Sequence, residues 1–124
     1  MKVNLTEAFA GFHEYWSPRV AAELNGQQIR LAKLRGEFVW HKHDDEDEMF
    51  LVHRGRLTLE FRDRTVELGP GEFLVVPRGV EHRPVAVDDV EVILFEPATT
   101  RNTGNVVNKR TIAQPARLDP QAAQ

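Results

Sequence analysis

The chain has no cysteine among its 124 residues. This absence excludes disulfide bonds, thiolate-ligated zinc and a cysteine nucleophile together, and it is compatible with a reducing cytosol. The chain also lacks an apolar run near the roughly 20 residues of a membrane helix, and its first residues contain no signal-peptide core. We therefore expect a cytoplasmic protein without a membrane partner.

An excess of positive charge is also missing. The chain has 16 Lys and Arg against 19 Asp and Glu, a net charge of -3 and a pI near 5.9. A protein that neutralises many phosphates carries a basic excess, so nucleic acid is not an expected partner. The remaining composition, 41% hydrophobic and 28% charged, is that of a soluble globular protein whose length encloses one core.

Strand-like segments dominate what is present. Helical spacing of apolar residues is found only at residues 5–12, where Asn4 or Thr6 can act as the N-cap. The Asn25-Gly26 pair predicts a two-residue type I′ hairpin. We predict strands at residues 19–24, 27–35, 37–43, 48–54, 57–62, 65–68, 72–76, 82–87 and 90–96. Many short strands at close spacing indicate an all-β sandwich or closed barrel.

The chain divides into three predicted parts. Residues 1–26 hold the N-terminal helix and the first strand of the hairpin, and residues 27–97 form the barrel with the candidate site. Residues 98–124 are a polar, proline-spotted tail, and we expect about its last ten residues to be loosely held.

A histidine pair draws attention to one strand. Residues two apart in a strand point to the same face, so His41 and His43 present both imidazoles to one side. Imidazole is the commonest metal donor at neutral pH, and Glu48 on the next strand can add a carboxylate. By itself this pair is weak evidence, because histidines on an edge strand are common without a metal.

Two glycine- and proline-marked segments strengthen the case. The first contains Gly36, His41, His43, Glu48 and Gly55, and the second contains Gly71, Pro77, Gly79 and His82. This pattern resembles the cupin superfamily, in particular small single-domain cupins of the mannose-6-phosphate isomerase-like type. The second segment matches its motif at every position from Gly71 to His82. The first departs by one residue between Gly36 and His41, and Ala86 stands where a later Asn is usual.

The resemblance implies a double-stranded β-helix, the cupin jelly-roll barrel, and a metal site. Its ligands would be His41, His43, Glu48 and His82. Three neutral imidazoles and one carboxylate give a divalent ion a net charge of about +1 and leave roughly two of six octahedral positions open. With no sulfur ligand, the site suits Fe, Mn, Ni, Co, Cu or Zn, and nothing in the sequence selects one.

Open metal positions favour an enzyme acting on a small oxygen-bearing metabolite, as a dioxygenase or as an isomerase or lyase. The alternative is a non-catalytic cupin that binds a sugar or other metabolite. A third possibility is a structural metal with a closed coordination sphere. This superfamily hosts many chemistries on one barrel, so the motifs do not select the substrate.

Strand alternation predicts which residues line the barrel. If Glu48 points inward, so do Phe50 and Val52, and we expect Phe73 and Val75 to join this lining. The same alternation places an apolar surface outside. We predict a homodimer that buries Phe38, Trp40, Met49 and Leu51, while an N-terminal hairpin folded over this face would explain the pattern equally well.

Other polar residues receive simpler interpretations. His13 and His53 are predicted to lie outside the site, and residues 44–47 are an acidic loop that forms a negative rim. Arg78 and Arg83 flank His82 and could recognise an anionic ligand, although arginines near such loops also form salt bridges.

Overall fold

Eight strands and one short helix make up the part of the chain, residues 2–118, that the computed structural model describes. The elements are α1 (Leu5–Ala10), β1 (Arg19–Leu24), β2 (Gln27–Glu37), β3 (Glu48–Arg54), β4 (Leu57–Phe61), β5 (Thr65–Leu68), β6 (Phe73–Val76), β7 (His82–Pro97) and β8 (Ala116–Arg117). The predicted all-β barrel with a short N-terminal helix and a C-terminal tail is confirmed. Within these residues no helix is long and apolar enough to span a bilayer.

Strand β7 organises the barrel. It is antiparallel to β2 along most of its length, to β4 through its first half and to β3 through its second half. The main path of the sheet runs β5-β4-β7-β2-β1-β8, and β3 and β6 lie off this path. The prediction of two strands at 82–87 and 90–96 was wrong, because β2 pairs with both segments and keeps them in one 16-residue strand.

The N-terminal predictions were close. The Asn4 side chain accepts a hydrogen bond from the Glu7 backbone N–H at 3.0 Å, which satisfies one free donor of the first turn. Helix α1 ends at Ala10 instead of residue 12. The hairpin between β1 and β2 has positive φ at both Asn25 (50°) and Gly26 (77°), as a type I′ turn requires.

Residues 37–43 were predicted to be a strand and are not one. Only an isolated bridge joins His41 to His82, through reciprocal backbone hydrogen bonds of 3.0 and 2.9 Å. The flanking residues follow β7 more loosely, and the Phe38 N–H donates to the Pro84 carbonyl at 3.0 Å. The chain therefore passes beside β7 without a continuous ladder.

Sheet register decides which residues face the core. Glu48 pairs with Val76 and Phe50 pairs with Leu74, so Leu74 and Val76 lie on the inward face of β6. Phe73 and Val75 are 63% and 50% exposed, which makes the prediction that they line the barrel wrong. All four residues of β6 are apolar, so alternation in the sequence carried no signal there. The main core is Ala32, Leu34, Phe50, Val52, Leu57, Leu59, Phe61, Leu68, Val76, Ala86, Val90, Val92 and Leu94.

The outer face differs from the prediction in two respects. Phe38 is buried rather than outside, because its segment does not keep strand alternation. Leu51 packs against the second apolar cluster, in which Ala8 and Phe9 of α1 meet Leu31 and Ile93. Thus helix α1, together with Ala21 and Ile29 of the N-terminal hairpin, covers part of this face.

Gly55 gives a test of the turn between β3 and β4. It has φ of 88°, and an added Cβ would lie 2.5 Å from the Asp89 carbonyl oxygen. Gly36 has a similar φ of 85° with nothing within 4 Å of such a Cβ. We expect Gly36→Ala to lower the free energy of unfolding by about 1–2 kcal/mol through backbone strain. Gly55→Ala should lower it by roughly 3 kcal/mol, because the backbone must also move. Urea denaturation of both variants checks this, and equal losses would contradict the close approach.

Candidate metal centre

Four side chains converge at one end of the barrel. One ligand atom from each of His41, His43, Glu48 and His82 lies within 4.8 Å of the others, and all four residues are buried. Glu48 Oε1 is 3.3 Å from His43 Nε2 and 3.4 Å from His82 Nε2. The structure thus brings together the whole predicted ligand set.

Each ligand is placed by a different part of the fold. Glu48 opens β3 and His82 opens β7, so both are fixed by sheet pairing. His41 is held to His82 by the isolated bridge, and the carbonyl of His43 accepts from the Gly79 N–H at 2.7 Å. His41 and His43, which precede β3, are therefore held in place by the loop and the strand that carry His82.

Backbone carbonyls orient two of the imidazoles. His41 Nδ1 lies 2.9 Å from the Val39 carbonyl oxygen, and His82 Nδ1 lies 3.0 Å from the Val80 carbonyl oxygen. A carbonyl can only accept, so Nδ1 carries the proton in both rings and Nε2 keeps its lone pair for the centre. This arrangement is usual for histidines that bind a metal.

The electrostatics suit a cation. Burial, together with the neighbouring His82, lowers the pKa of His41 to about 4, so this imidazole is neutral at physiological pH. Burial opposes charge on His43, but the adjacent Glu48 carboxylate outweighs it and raises the pKa of His43. Burial alone would raise the pKa of Glu48, yet its close contacts with Glu96, His43 and His82 hold this pKa well below its usual range. The site therefore keeps a buried negative charge.

The donor atoms themselves fit a divalent metal. Within the described chain, His43 Nε2, His82 Nε2 and Glu48 Oε1 are buried without a hydrogen-bond partner. Ligand atoms about 2.0–2.2 Å from one ion lie roughly 3.0–3.4 Å apart, as the Glu48 contacts do. An ion held by these four residues would satisfy all three unpartnered atoms at once.

A partly open cavity adjoins the centre on one side. His41 and Glu48 form part of its wall, and the rest is mostly apolar, including Trp16, Phe38 and Phe50. The volume that the centre of a water-sized sphere can occupy is about 40 Å³, roughly three times the volume that one water needs by the same measure. A ligand in this cavity would lie directly beside the metal ligands.

A model of the cupin domain matches residues 28–96, more than half of the chain. The chain belongs to the cupin family. A cupin-2 domain protein from Shewanella frigidimarina is 46% identical in sequence and superposes with a TM-score of 0.76, over 77% of this chain and 93% of that one. The protein NMB1881 from Neisseria meningitidis is 32% identical, with a TM-score of 0.72 over 78% of this chain and 99% of that one.

A curated relative, the uncharacterised Bacillus subtilis protein YdbB, is 41% identical over 63 residues. The match covers 50% of this cupin and 56% of the relative, so the chain spans little more than half of that protein's length.

Sequence reasoning missed a second buried group of this cupin. Arg30 and Glu96 are each 1% exposed and form an ion pair at 3.0 Å, and Glu96 also contacts Glu48. Burial, with the neighbouring Glu48 charge, raises the pKa of Glu96 well above its usual range, against the opposing effect of Arg30. A signal was present: Glu96 continues the inward series Val90, Val92, Leu94 of β7, where a carboxylate is out of place.

The described part of the C-terminal tail packs against the segment that carries the candidate ligands His41 and His43. Asn105 receives a hydrogen bond at 2.9 Å from the Lys42 N–H and donates its own N–H to the Lys42 carbonyl at 3.0 Å. Gly104 lies so close to Lys42 and His41 that a Cβ there would overlap the Lys42 carbonyl. The expected loosely held end falls partly on residues 119–124, outside the described residues.

The remaining polar residues lie outside the centre. His53 stacks on Phe9 with ring centroids 5.5 Å apart, and His13 is exposed. Arg83 is paired with Glu60 at 2.7 Å and Arg78 contacts Asp47 at 3.7 Å. The acidic loop lines an outer cleft that reaches His43, as a negative rim would.

His43→Ala tests the ligand set. We expect the affinity for Zn²⁺ to fall at least about 100-fold, because even partners of metal ligands contribute 10- to 100-fold. His53→Ala is the matched control, because His53 lies in β3 but its ring stacks on Phe9 of α1, away from the centre. Elemental analysis and competition with a chelator measure both. Unchanged metal content in His43→Ala would rule out the assignment.

Proposed function

We propose that this cupin is a metal-dependent enzyme that acts on a small oxygen-bearing metabolite, as a dioxygenase or as an isomerase or lyase. One divalent transition metal would be held by His41, His43, Glu48 and His82. The observation that carries the proposal is that two of these residues, His41 and Glu48, also form part of the wall of a largely apolar cavity. A closed structural site needs no such space beside it.

The chain's own residues have definite parts in such a site. His41 and His82 direct their Nε2 atoms inward because the Val39 and Val80 carbonyls hold the opposite nitrogens. Glu48 supplies the negative charge. A bound metal would supply Lewis-acid or redox chemistry at the positions that the four residues leave open.

Exclusion of water is the second contribution of the protein. Phe38 lies edge-on to His41, with ring centroids 5.4 Å apart, and stacks on Trp16 at 4.7 Å. Residues 102–105 close the same region from the C-terminal side. In a site shielded this way, electrostatic interactions with a substrate are stronger than in water.

A combined metal and oxygen assay tests the proposal. Protein purified without a metal-affinity tag is analysed for metals, reconstituted anaerobically with Fe²⁺, and assayed with a panel of small hydroxyl- and carbonyl-bearing compounds. Compound-dependent oxygen uptake that His43→Ala abolishes supports a dioxygenase. Turnover without oxygen uptake, with Zn, Mn or Ni bound, supports an isomerase or lyase. Saturable binding without turnover under every metal would overturn the enzyme proposal in favour of a non-catalytic binding cupin.

We also propose that the chain forms a homodimer through the outer face around Met49, Phe73 and Val75. Met49 pairs with Val75 across β3 and β6, and Leu51 pairs with Phe73, so these side chains share one face. Phe73 is 63% exposed although it is aromatic, and adjacent exposed apolar residues are typical of interfaces. The buried Phe38 is no longer part of this surface.

Phe73→Ser tests the dimer. We expect the dimer dissociation constant to rise at least about tenfold, because aromatic anchors dominate most interfaces. Val87→Ser is the control. Val87 is 82% exposed, but it lies in the first half of β7, which does not pair with β3. Light scattering after size exclusion measures the mass of each. A monomeric wild type, or a dimer that Phe73→Ser leaves unchanged, would contradict the proposal.

A further inference from the structure

The cavity beside the candidate metal centre is apolar except at one end. Its apolar wall comprises Trp16, Ala32, Leu34, Phe38, Phe50 and Leu94, together with two prolines. The polar side chains that reach it are His41 and Glu48 of the candidate metal site, with Glu96 and Asn102. Most of the groups that could bind oxygen atoms of a ligand therefore lie at the metal end of the cavity.

Two of the three polar side chains other than the candidate metal ligands are already engaged, whereas the third, Glu96, has its Oε2 buried without a hydrogen-bond partner and lies beside Glu48 at the metal end. Asn102 donates from Nδ2 to the Arg110 carbonyl at 2.7 Å, and its Oδ1 accepts from the Ile112 N–H at 2.8 Å. The Trp16 indole N–H donates to the Arg35 carbonyl at 2.9 Å. Neither side chain needs a ligand to satisfy these atoms.

No cationic side chain lines the cavity: Arg110 lies over the rings of Trp16 and Phe38, 5.6 and 5.7 Å from their centroids, but it lines a separate surface cleft. The wall contains no lysine or arginine. The nearest buried cation, Arg30, donates to Glu96, to the Thr100 and Ala98 carbonyls and to Gln28, at 2.8–3.1 Å. Its guanidinium is thereby committed within the protein. A carboxylate or phosphate placed among these apolar residues would lose its hydration without a countercharge.

We propose that the ligand of this cavity is a small molecule whose oxygen atoms lie at one end and whose remainder is hydrocarbon. The oxygen end would face the centre formed by His41, His43, Glu48 and His82, and the hydrocarbon end would pack on Leu34, Phe38 and Leu94. This inference rests on the proposed function, because it uses the metal as the anchor. It narrows the ligand class to hydroxy- or oxo-compounds with a hydrocarbon end, and it excludes sugar phosphates, polyols and acids whose carboxylate would lie against the apolar wall.

The size of the cavity sets a further limit. A volume of about 40 Å³ for the centre of a water-sized sphere holds a molecule of a few non-hydrogen atoms, without room for a sugar ring and its hydroxyl groups. The acyloins, which carry adjacent hydroxyl and ketone groups between alkyl ends, are probes with this shape.

The experiment compares probes that share one metal-binding end. Acetoin, dihydroxyacetone and hydroxypyruvate all carry adjacent hydroxyl and ketone groups, but they end in methyl, hydroxyl and carboxylate groups respectively. Binding to the Zn²⁺-loaded Trp40→Phe protein is followed by the fluorescence of Trp16, which lines the cavity. We expect acetoin to bind at least about tenfold more tightly than the other two, because their polar ends would be buried unpaired.

Two variants connect the selectivity to this cavity. Leu94→Ala enlarges it and should bind butyroin, a longer acyloin, at least about tenfold more tightly than the parent does. Leu59→Ala removes an equally buried core leucine that does not line the cavity, and it should leave butyroin binding unchanged. If Leu94→Ala does not fold, Ala32→Val should weaken acetoin binding by filling the same space.

The outcomes separate this inference from the proposed function. Failure to bind Zn²⁺, measured by elemental analysis before any probe is added, would overturn the metal site and the proposed function with it. Stoichiometric Zn²⁺ with no acetoin binding, or with equal or tighter binding of dihydroxyacetone or hydroxypyruvate, would overturn the ligand class alone. The predicted order together with the Leu94→Ala result would establish it.

Discussion

The site depends on one buried charge, the carboxylate of Glu48. A carboxylate at 4% exposure is costly unless cations or hydrogen-bond donors surround it. Here three imidazoles surround one oxygen, and Glu96 contacts the same side chain. Glu96 is in turn tied to Arg30, whose guanidinium bonds two carbonyls beyond the end of β7. The polar centre thus reaches from the candidate ligands to the C-terminal segment as one connected group.

Strand β7 makes that group possible. It begins with His82 and ends one residue after Glu96, and its pairing with β2, β3 and β4 fixes both ends relative to the same barrel. Glu48 enters from β3, which pairs with the second half of β7. Most of the residues around the centre are therefore held by sheet hydrogen bonds, which limits how far the ligand atoms can move when a metal binds.

The two sides of the centre differ in polarity and charge, and this difference affects what each side can bind. On the side of His41 and Glu48 the wall of the cavity is mostly apolar. On the side of His43 an open cleft is lined by acidic residues of the loop and by Thr99 and Arg101. A neutral ligand would find hydrocarbon contacts on the first side, whereas a hydrated cation would meet favourable charge on the second. The two sides give separate surroundings to ligand and metal.

The sequence alone was enough for the barrel and for the candidate ligands. Alternation and turn residues predicted the hairpin at Asn25-Gly26 and strands β3 and β5 with their observed bounds, because these signals are local. Motif spacing predicted the four residues that the structure brings together, although the segment of His41 and His43 is not the strand that alternation predicted.

Tertiary structure decided what local signals could not. In β6 every residue is apolar, so only the register with β3 turned Phe73 and Val75 outward. Phe38 is buried because its segment leaves the strand, and β8 exists because two residues pair with β1, an interaction without a pattern of its own. The Arg30–Glu96 pair joins residues 66 positions apart. Its role depends on long-range packing, which brings both charges to Glu48 and which no spacing along the chain encodes.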